Sequence, residues 1–299
     1  MQKNLIQIKR LKLGNYLYIL PALLVVTLVM LVPLIYTLVS SLFKVNIYNN
    51  QWDFAGLKNF QSIFSDSIFV LSIRNTITWT IGSVVFQFLI GFLIANVLNM
   101  DCIRGKSGLR IALMVPWVLP GVVSALVWQW MYHSDFGIIN QVLKDIGVIS
   151  QSVGWLSSAD TAMMAAIIIN VWKMSPFVIL MTEAALKNVS DDQKEAAVID
   201  GANSLQVFWH VKLPAIAPTC NTIILLLTIW TMNAFTFIYV LTEGGPAHMT
   251  EILSLYIYRT YFKSYNLGKA SAASTVLFAF TAIVALLYNK FVIGRDQER

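Results

Sequence analysis

Residues 75–98 read NTITWTIGSVVFQFLIGFLIANVL and contain no Asp, Glu, Lys or Arg. An α-helix rises about 1.5 Å per residue, so roughly 20 apolar residues are needed to cross the hydrocarbon core of a bilayer. This stretch is long enough to do so. The whole chain has the same character, since its 299 residues are 57% hydrophobic and only 12% charged, whereas soluble domains carry about 25% charged residues. The sequence therefore predicts a membrane protein.

Five further apolar segments have similar lengths, and together with residues 75–98 they predict six membrane-spanning helices. A helix is the conformation in which a lone segment satisfies all its backbone hydrogen bonds in lipid. The sequence thus predicts an all-α, polytopic membrane protein. The predicted spans are about Tyr16–Leu42, Asn75–Leu98, Ile111–Trp130, Ala162–Leu186, Pro218–Leu241 and Ala270–Ile293.

The first predicted span follows a basic segment, as the apolar part of a secretory signal does. Its apolar stretch is too long for a signal, however, and no small-residue cleavage site follows it, so we predict a retained anchor. The predicted domain boundaries are a cytoplasmic N-terminal segment over residues 1–15, a spanning domain over residues 16–293 and a cytoplasmic tail over residues 294–299.

The basic residues predict which side of the membrane each loop faces, because cytoplasmic segments carry an excess of Lys and Arg. With both termini in the cytoplasm, 13 basic residues lie in inner segments and 7 in outer segments. We therefore predict that both ends are cytoplasmic. The inner group is Lys3, Lys9, Arg10, Lys12, Arg104, Lys106, Arg110, Lys187, Lys194, Lys212, Lys290, Arg295 and Arg299, and the outer group is Lys44, Lys58, Arg74, Lys144, Arg259, Lys263 and Lys269.

Several classes of function are disfavoured by the sequence. The net charge is +6, but the basic residues are scattered between apolar runs and form no face for nucleic acid. Cys102 and Cys220 stand far apart without a CxxC pair, which argues against a disulfide framework or a zinc site. The histidines are isolated, so no catalytic group is expected. Gly105-Lys106-Ser107 ends like a phosphate loop, but the earlier glycine is replaced by Met100, so no ATP site is expected on this chain.

The largest predicted cytoplasmic piece is the loop over residues 187–217, which is expected to contain two short helices. Ser190-Asp191-Asp192-Gln193 has the form of a capping box that begins the first helix, and Gly201 can end that helix in a left-handed conformation. Pro214 is expected to end the second helix. The second helix is predicted from apolar residues at i, i+3 and i+4, namely Leu205, Phe208 and Trp209.

The same loop resembles a known family signature. Glu195-Ala196-Ala197, then Gly201 and Leu213-Pro214, is similar to the EAA motif of binding-protein-dependent ABC importer permeases, which lies before the last two spans, as it does here. The chain departs from the family at Ser190, where a proline is frequent, and at Lys194, where an aromatic residue is frequent. Flanking residues that also agree are Asp200, Ala202, Phe208 and Pro218.

The resemblance implies the type I importer permease fold and a coupling helix that docks on a separate ATPase. Glu195 would then pair with a basic group on the ATPase, and Gly201 would allow the turn. The implied partners are a second permease subunit, an ABC ATPase dimer that carries ATP and Mg, and an extracytoplasmic solute-binding protein. This chain would lie in the bacterial cytoplasmic membrane, bind no cofactor or metal itself and catalyse no reaction alone.

A second resemblance lies after the fifth predicted span. The segment Leu241-Thr242-Glu243-Gly244-Gly245-Pro246, followed by Thr250-Glu251 and Tyr256-Ile257-Tyr258-Arg259, is similar to the outer-loop signature of the maltose and glycerol-phosphate branch. The resemblance implies a carbohydrate substrate. Gly244, Gly245 and Pro246 themselves predict a sharp turn at the end of the helix.

Polar residues within the predicted spans are candidates for the substrate pathway. Lys173, beside Asn170, is costly in lipid and must face protein or water; contact with the pathway and a structural bond to a neighbouring helix both remain open. The fifth predicted span combines an amide with aromatic faces, which suits a sugar, although packing between helices is the alternative. The residues concerned are Asn233, Phe235, Phe237 and Tyr239.

Three other functions remain as alternatives: an ion-coupled secondary transporter, an ABC permease for a non-sugar solute and a membrane scaffold that transports nothing. A secondary transporter is expected to have ionisable residues in several spans, whereas here, apart from Lys173, the predicted spans are nearly free of them. A scaffold would have no need of the motif between residues 190 and 214.

Overall fold

The computed structural model describes residues 18–46, 49, 51–100 and 105–290. The predicted segments 1–15 and 294–299, and Cys102, lie outside these residues. The described chain is mostly helical, which confirms the predicted fold class, with one small addition. The outer loop after the first span contains an antiparallel hairpin of β1 (Phe43–Asn46) and β2 (Gln51–Phe54).

The helices of the described residues are numbered in chain order. They are α1 (Tyr18–Ser40), α2 (Lys58–Phe64), α3 (Ser67–Leu98), α4 (Lys106–Val118), α5 (Gly121–Met131), α6 (Ile138–Asp145), α7 (Ala162–Lys187), α8 (Asp191–Ile199), α9 (Ser204–Met232), α10 (Thr236–Thr242), α11 (Leu253–Tyr258) and α12 (Leu267–Tyr288). Among the described residues, α1, α3, α7, α9 and α12 are each long and apolar enough to span a membrane, and the pair α4–α5 together makes a sixth candidate.

The third predicted span, Ile111–Trp130, is wrong as a straight helix. α4 and α5 are bent by 97° at a break over Leu119 and Pro120. Leu119 has extended backbone (φ −60°, ψ 139°), because the ring of a following proline disfavours the helical conformation of the residue before it. The two halves also pack on different partners, α4 on α7 and α5 on α10.

The fifth predicted span, Pro218–Leu241, is wrong at both ends, and Pro214 does not end a helix. α9 begins at Ser204, passes through Pro214 and Pro218, and ends at Met232. A π-helical turn over Phe208–Lys212 precedes the prolines, and Pro214 occupies the first turn of the α-helical segment that follows. The regular i→i−4 hydrogen-bond pattern that a proline interrupts is thus already altered before Pro214.

The chain divides into two units, Met1–Ser65 with Ile257–Val276 and Asp66–Tyr256 with Leu277–Arg299. In the first unit, the Asn59 amide nitrogen donates to the carbonyl oxygens of Ser41 and Phe43, each at 2.9 Å. These bonds hold the start of the hairpin against α2. The hairpin is further stabilised by an edge contact between the Phe43 and Phe54 rings, whose centroids are 5.5 Å apart.

In the second unit, the core is formed by α3, α7 and α9, which pack on one another. α3 and α7 approach closely at Gly91, where a Cβ atom would lie 2.5 Å from the Val178 Cβ and 2.8 Å from the Ser175 carbonyl oxygen. Small residues allow such close contact between membrane helices. Buried apolar side chains fill the space beside it, namely Val84, Phe177, Val178, Ile223 and Leu227.

We expect Gly91→Ala to destabilise the protein by about 1–3 kcal/mol, the usual cost of overpacking. Neither atom that a Cβ would meet can rotate away, because one is a backbone oxygen and the other a Cβ. Gly82→Ala on the same helix is the matched control, since its Cβ would meet only the mobile terminal methyl of Ile167, at 2.8 Å. Thermal unfolding in detergent should show a loss of stability for Gly91→Ala alone. Equal losses of stability in the two variants would contradict the close-contact interpretation.

Candidate functional site

The predicted cytoplasmic loop over residues 187–217, called the inner loop below, starts with α8, which begins where the sequence predicts. Ser190 is its N-cap residue, but the Ser190 side chain makes no capping hydrogen bond, so the predicted capping box is wrong. Asp191 and Asp192 in the first turn suit the positive end of the helix dipole instead. The Lys194 ammonium donates to Asp191 at 2.8 Å, and this hydrogen bond and positive charge hold the pKa of Asp191 below its usual value.

The end of α8 is a Schellman motif around Gly201, which confirms the predicted stop. The Ala202 N–H donates to the Ala197 carbonyl at 2.9 Å, and the Gly201 N–H donates to the Val198 carbonyl at 3.0 Å. Gly201 has φ +87°, and a Cβ atom there would meet nothing within 4 Å. Glycine is therefore favoured by the left-handed backbone and not by lack of space.

The start of α9 carries the capping box of this loop, which the sequence analysis missed. Asn203 Oδ1 accepts from the Gln206 N–H at 2.9 Å, and Gln206 Oε1 accepts from the Asn203 N–H at 2.8 Å. An Asn followed three residues later by Gln is a recognised signal for a helix start. This signal could have been read from the sequence.

The two helices of the loop expose an unusual number of large apolar side chains. Val198, Ile199, Leu205 and Trp209 are each more than half exposed, and we call this group the inner apolar surface. Exposed patches of this kind mark sites where another protein binds. Phe208 differs, because it is half-buried and its ring meets the edge of Phe92 at 6.3 Å between centroids. Phe208 thus anchors the loop to α3.

The motif residues surround a concavity beside the inner apolar surface. Its volume is about 510 Å³, and its lining includes Ala196, Ala197, Asp200 and Pro214. Gly201 and Ala202 line an adjoining concavity of about 270 Å³. Glu195 is exposed on α8, and Leu213 is half-buried on α9. The fold therefore brings most of the predicted motif residues to one accessible surface.

Lys173 does not lie free in the fourth span. It is only 9% exposed, and its ammonium donates to the carbonyl oxygens of Pro116 at 3.1 Å and Leu119 at 2.5 Å. These carbonyls belong to the last turn of α4, where the helix can no longer satisfy them. Of the two alternatives left by the sequence, the structure shows the bond to a neighbouring helix. Contact with the pathway stays a prediction.

The other predicted pathway residues fall into two groups. Asn170 and Phe237 are buried, and Phe237 is directed towards Gly121 of α5. The second group lies at the break between α9 and α10. There Asn233 is exposed, with its amide nitrogen donating to the Ile229 carbonyl at 2.8 Å, and the rings of Phe235 and Tyr239 stack with centroids 5.0 Å apart. The structure therefore groups only Asn233, Phe235 and Tyr239.

The predicted sharp turn after α10 is present. Gly244 has φ +82° and the Gly245–Pro246 peptide is cis. The Thr250 hydroxyl donates to the Gly245 carbonyl at 2.7 Å. The following segment is fixed to α3, because the Asn75 amide donates to the carbonyls of His248 and Glu251 at 2.9 and 3.0 Å.

The family described as "Binding-protein-dependent transport system inner membrane component" has a model that matches residues 87–293. The chain belongs to this family. It is an ABC importer permease, as the EAA resemblance implied, and a multi-pass inner-membrane protein. Its helices α3 to α12, with the inner loop and the outer turn, fall largely within the matched residues.

Named relatives extend along nearly the whole permease. The trehalose/maltose transport system permease protein of Thermococcus litoralis is 34% identical over 284 residues, which cover 95% of this chain and 94% of the relative. The sulfoquinovosyl glycerol transport system permease protein of Agrobacterium fabrum is 28% identical over 281 residues, covering 94% and 90%. A bacterial alginate ABC transporter, solved with an alginate pentasaccharide-bound periplasmic protein, has a chain with a TM-score of 0.81 and 22% identity over 95% of both chains. The importer permease fold is thus confirmed.

An ion pair between two helices of the permease was not predicted from the sequence. Arg110 of α4 donates from Nε and Nη2 to the Glu183 carboxylate of α7, at 3.0 and 2.8 Å. The Glu183 side chain is only 7% exposed and that of Arg110 is 31% exposed. Together with Lys173, this pair ties both ends of α4 to α7. The two residues are 73 positions apart, so no local pattern could indicate the contact.

Proposed function

We propose that the permease is the membrane-spanning subunit of an ATP-driven importer that moves a carbohydrate into the cell by alternating access. The observation that carries the proposal is the inner loop, where the motif residues and the inner apolar surface form one accessible docking face. In an importer, such a face has a defined occupant, the ATPase subunit. A secondary transporter has no use for it.

The coupling step assigns a role to each part of the loop. α8 would insert into a cleft of the ATPase, with Ala196 and Ala197 allowing close approach and Glu195 pairing with a basic group. Breaking a desolvated charge pair from one side costs about 2–5 kcal/mol. Gly201 and Ala202 would hold the turn between α8 and α9 at the required angle. Asp200 and Pro214 would complete the face.

ATP binding and hydrolysis would then move the loop and turn the pathway from one side of the membrane to the other. α9 is continuous from Ser204 to Met232, so a displacement of the loop is passed along this helix to the break at Asn233. ATP and Mg would be bound by the ATPase dimer and no cofactor by this chain.

The carbohydrate class rests on the relatives, whose names include trehalose, maltose, sulfoquinovosyl glycerol and alginate. Within this chain, the exposed Asn233 amide and the stacked rings of Phe235 and Tyr239 offer hydrogen bonds and an aromatic face, the two features that a sugar requires. Lys173 would act indirectly by fixing the break between α4 and α5. An importer permease for a non-sugar solute is the second candidate.

The proposed assembly consists of this permease, a second permease subunit, an ABC ATPase dimer and an extracytoplasmic solute-binding protein. Both termini of the permease would be cytoplasmic. This arrangement places the inner loop on the ATPase side and the Gly244-Gly245-Pro246 turn on the side of the solute-binding protein.

The complex reconstituted in liposomes tests the proposal. Uptake of maltotriose is expected to require ATP and the solute-binding protein, and to continue when ionophores collapse the ion gradients. Uptake that needs a gradient but no ATP would contradict it.

Asn233→Ala should reduce uptake about fivefold, the value of one hydrogen bond. Asn96→Ala is the matched control, because Asn96 also donates to the carbonyl four residues before it, and uptake should be unchanged. Equal effects would show that Asn233 has no role in solute binding.

A further inference from the structure

A cleft of about 550 Å³ lies beyond the end of α5, separate from the break at Asn233. One wall comes from α5 and the loop that follows it, and the other from the end of α10. Its lining includes Gln129, Tyr132, Ser134, Trp155, Ser157 and Glu243. The volume lies within the range of small-molecule sites, roughly 300–1,000 Å³. None of the predicted pathway residues lines this cleft.

The first wall is aromatic and contains an unused hydroxyl. The Tyr132 and Trp155 rings lie 5.9 Å apart between centroids, tilted by 38°. Tyr132 is only 5% exposed, and its hydroxyl has no hydrogen-bond partner among the residues that the structure describes. Burial raises the pKa of Tyr132 to about 12, so this phenol stays protonated and able to donate at neutral pH. At the wall of the cleft, this hydroxyl can donate to a ligand.

Asn140 holds this wall in place. Its side-chain oxygen accepts from the Trp155 indole N–H at 3.0 Å and from the Val153 N–H at 3.1 Å, and its amide nitrogen donates to the Val153 carbonyl at 3.0 Å. Because the indole N–H is already used, Trp155 can offer a ligand only its apolar face. The ring is thus positioned before any ligand arrives.

The second wall offers hydrogen-bond acceptors and little charge. α10 ends at Thr242, and Glu243 follows with φ +47°. The Leu241 carbonyl there accepts from the Gln129 amide at 3.5 Å and the Thr242 carbonyl from the Gly245 N–H at 2.8 Å, which leaves each oxygen a second lone pair for a ligand. The Ser134 and Ser157 hydroxyls donate to the Asp135 carboxylate at 3.2 Å and the Gly154 carbonyl at 3.4 Å, so their oxygens add acceptors to this cleft. The lining contains no Lys or Arg, which disfavours an anionic ligand.

We propose that this cleft binds a segment of a neutral carbohydrate, at a subsite outside the spanning helices. An aromatic face takes the apolar face of a sugar ring, and hydroxyl, amide and carbonyl groups take its hydroxyls. This inference rests on the proposed function for the class of solute. It adds that neutral sugars are held at the end of the third span, apart from the break at Asn233.

Protection of an introduced cysteine tests the site. In the purified transporter complex with Cys102 and Cys220 replaced by Ala, Ser157→Cys places a thiol in the cleft, and Gln151→Cys places one on the same loop outside it. Labelling with a maleimide is measured with maltotriose or with alginate pentasaccharide. Maltotriose is expected to slow labelling of the S157C variant and not of Q151C, and the acidic pentasaccharide should slow neither.

Two further variants connect the protection to the aromatic wall. Tyr132→Phe, made in the S157C background, removes only the hydroxyl and should raise the maltotriose concentration for half-protection about fivefold. Trp155→Ala should remove protection, while Trp130→Ala should not, since Trp130 lies outside the lining and is 71% exposed. No effect of Tyr132→Phe would overturn the proposal even if Trp155→Ala failed to fold.

Other outcomes would also overturn the proposal. These are no protection by maltotriose, protection by the pentasaccharide alone, and protection by the solute-binding protein without sugar, which would make the cleft a protein contact. ATP-driven maltotriose uptake without protection of the S157C variant would remove the subsite and leave the proposed function standing. Protection of the S157C variant by maltotriose without ATP-driven uptake would contradict the proposed function and leave the subsite standing.

Discussion

Gly201→Asp should abolish ATP-dependent uptake while leaving the permease inserted and folded. Gly201 lies on the proposed docking face with φ +87°, where a side chain both strains the turn and projects a charge towards the ATPase. Loss of a close docking contact of this kind costs about 2–5 kcal/mol, which is enough to reduce uptake by more than tenfold.

Gly147 provides the matched control. It has φ +76°, and a Cβ atom there would also meet nothing within 4 Å, so Gly147→Asp carries the same backbone strain on the predicted outer side. Uptake into liposomes and co-purification of the ATPase should both fail for Gly201→Asp and persist for Gly147→Asp. Equal loss in the two variants would mean that strain, and not docking, is responsible.

Arg110→Met is expected to destabilise the permease, because it leaves the Glu183 carboxylate, only 7% exposed, without its partner. The double variant Arg110→Met with Glu183→Met should recover most of this loss, because two apolar side chains of similar size need no compensating charge.

Unfolding of the purified single and double variants measures the interaction as a double-mutant cycle. The sum of the stability losses in the two single variants should exceed the stability loss in the double variant. Additive losses would show that Arg110 and Glu183 act independently and that the contact between α4 and α7 does not depend on their pairing.

Much of the fold could be predicted from hydropathy, because lipid imposes the same requirement on every span. The prolines could not be interpreted from local rules. Pro116, Pro176 and Pro218 lie inside helices, whereas Pro120 follows a break. At this break the Leu119 carbonyl accepts from the ammonium of Lys173, 54 residues away. This bond satisfies a carbonyl oxygen at the end of α4 that would otherwise have no hydrogen-bond partner in lipid.

The inner loop was more predictable than the pathway, for a physical reason. Gly201 and the start of α8 depend on local backbone chemistry, which adjacent residues reveal. Asn233, Phe235 and Phe237 all lie near the break between α9 and α10, and only the tertiary structure shows that Phe237 is buried. The Asn140 contacts with Trp155 likewise depend on a loop geometry that no periodicity encodes.

The uninterrupted course of α9 has a consequence for how far a small motion can reach. Its 29 residues give a rod about 43 Å long at 1.5 Å per residue. Pivoting such a rod by about 5° about one end shifts the other by about 4 Å, somewhat less than one helical turn. A slight tilt imposed at Asn203 would therefore displace the break at Asn233 by a distance close to a helical turn, with no local unfolding anywhere between.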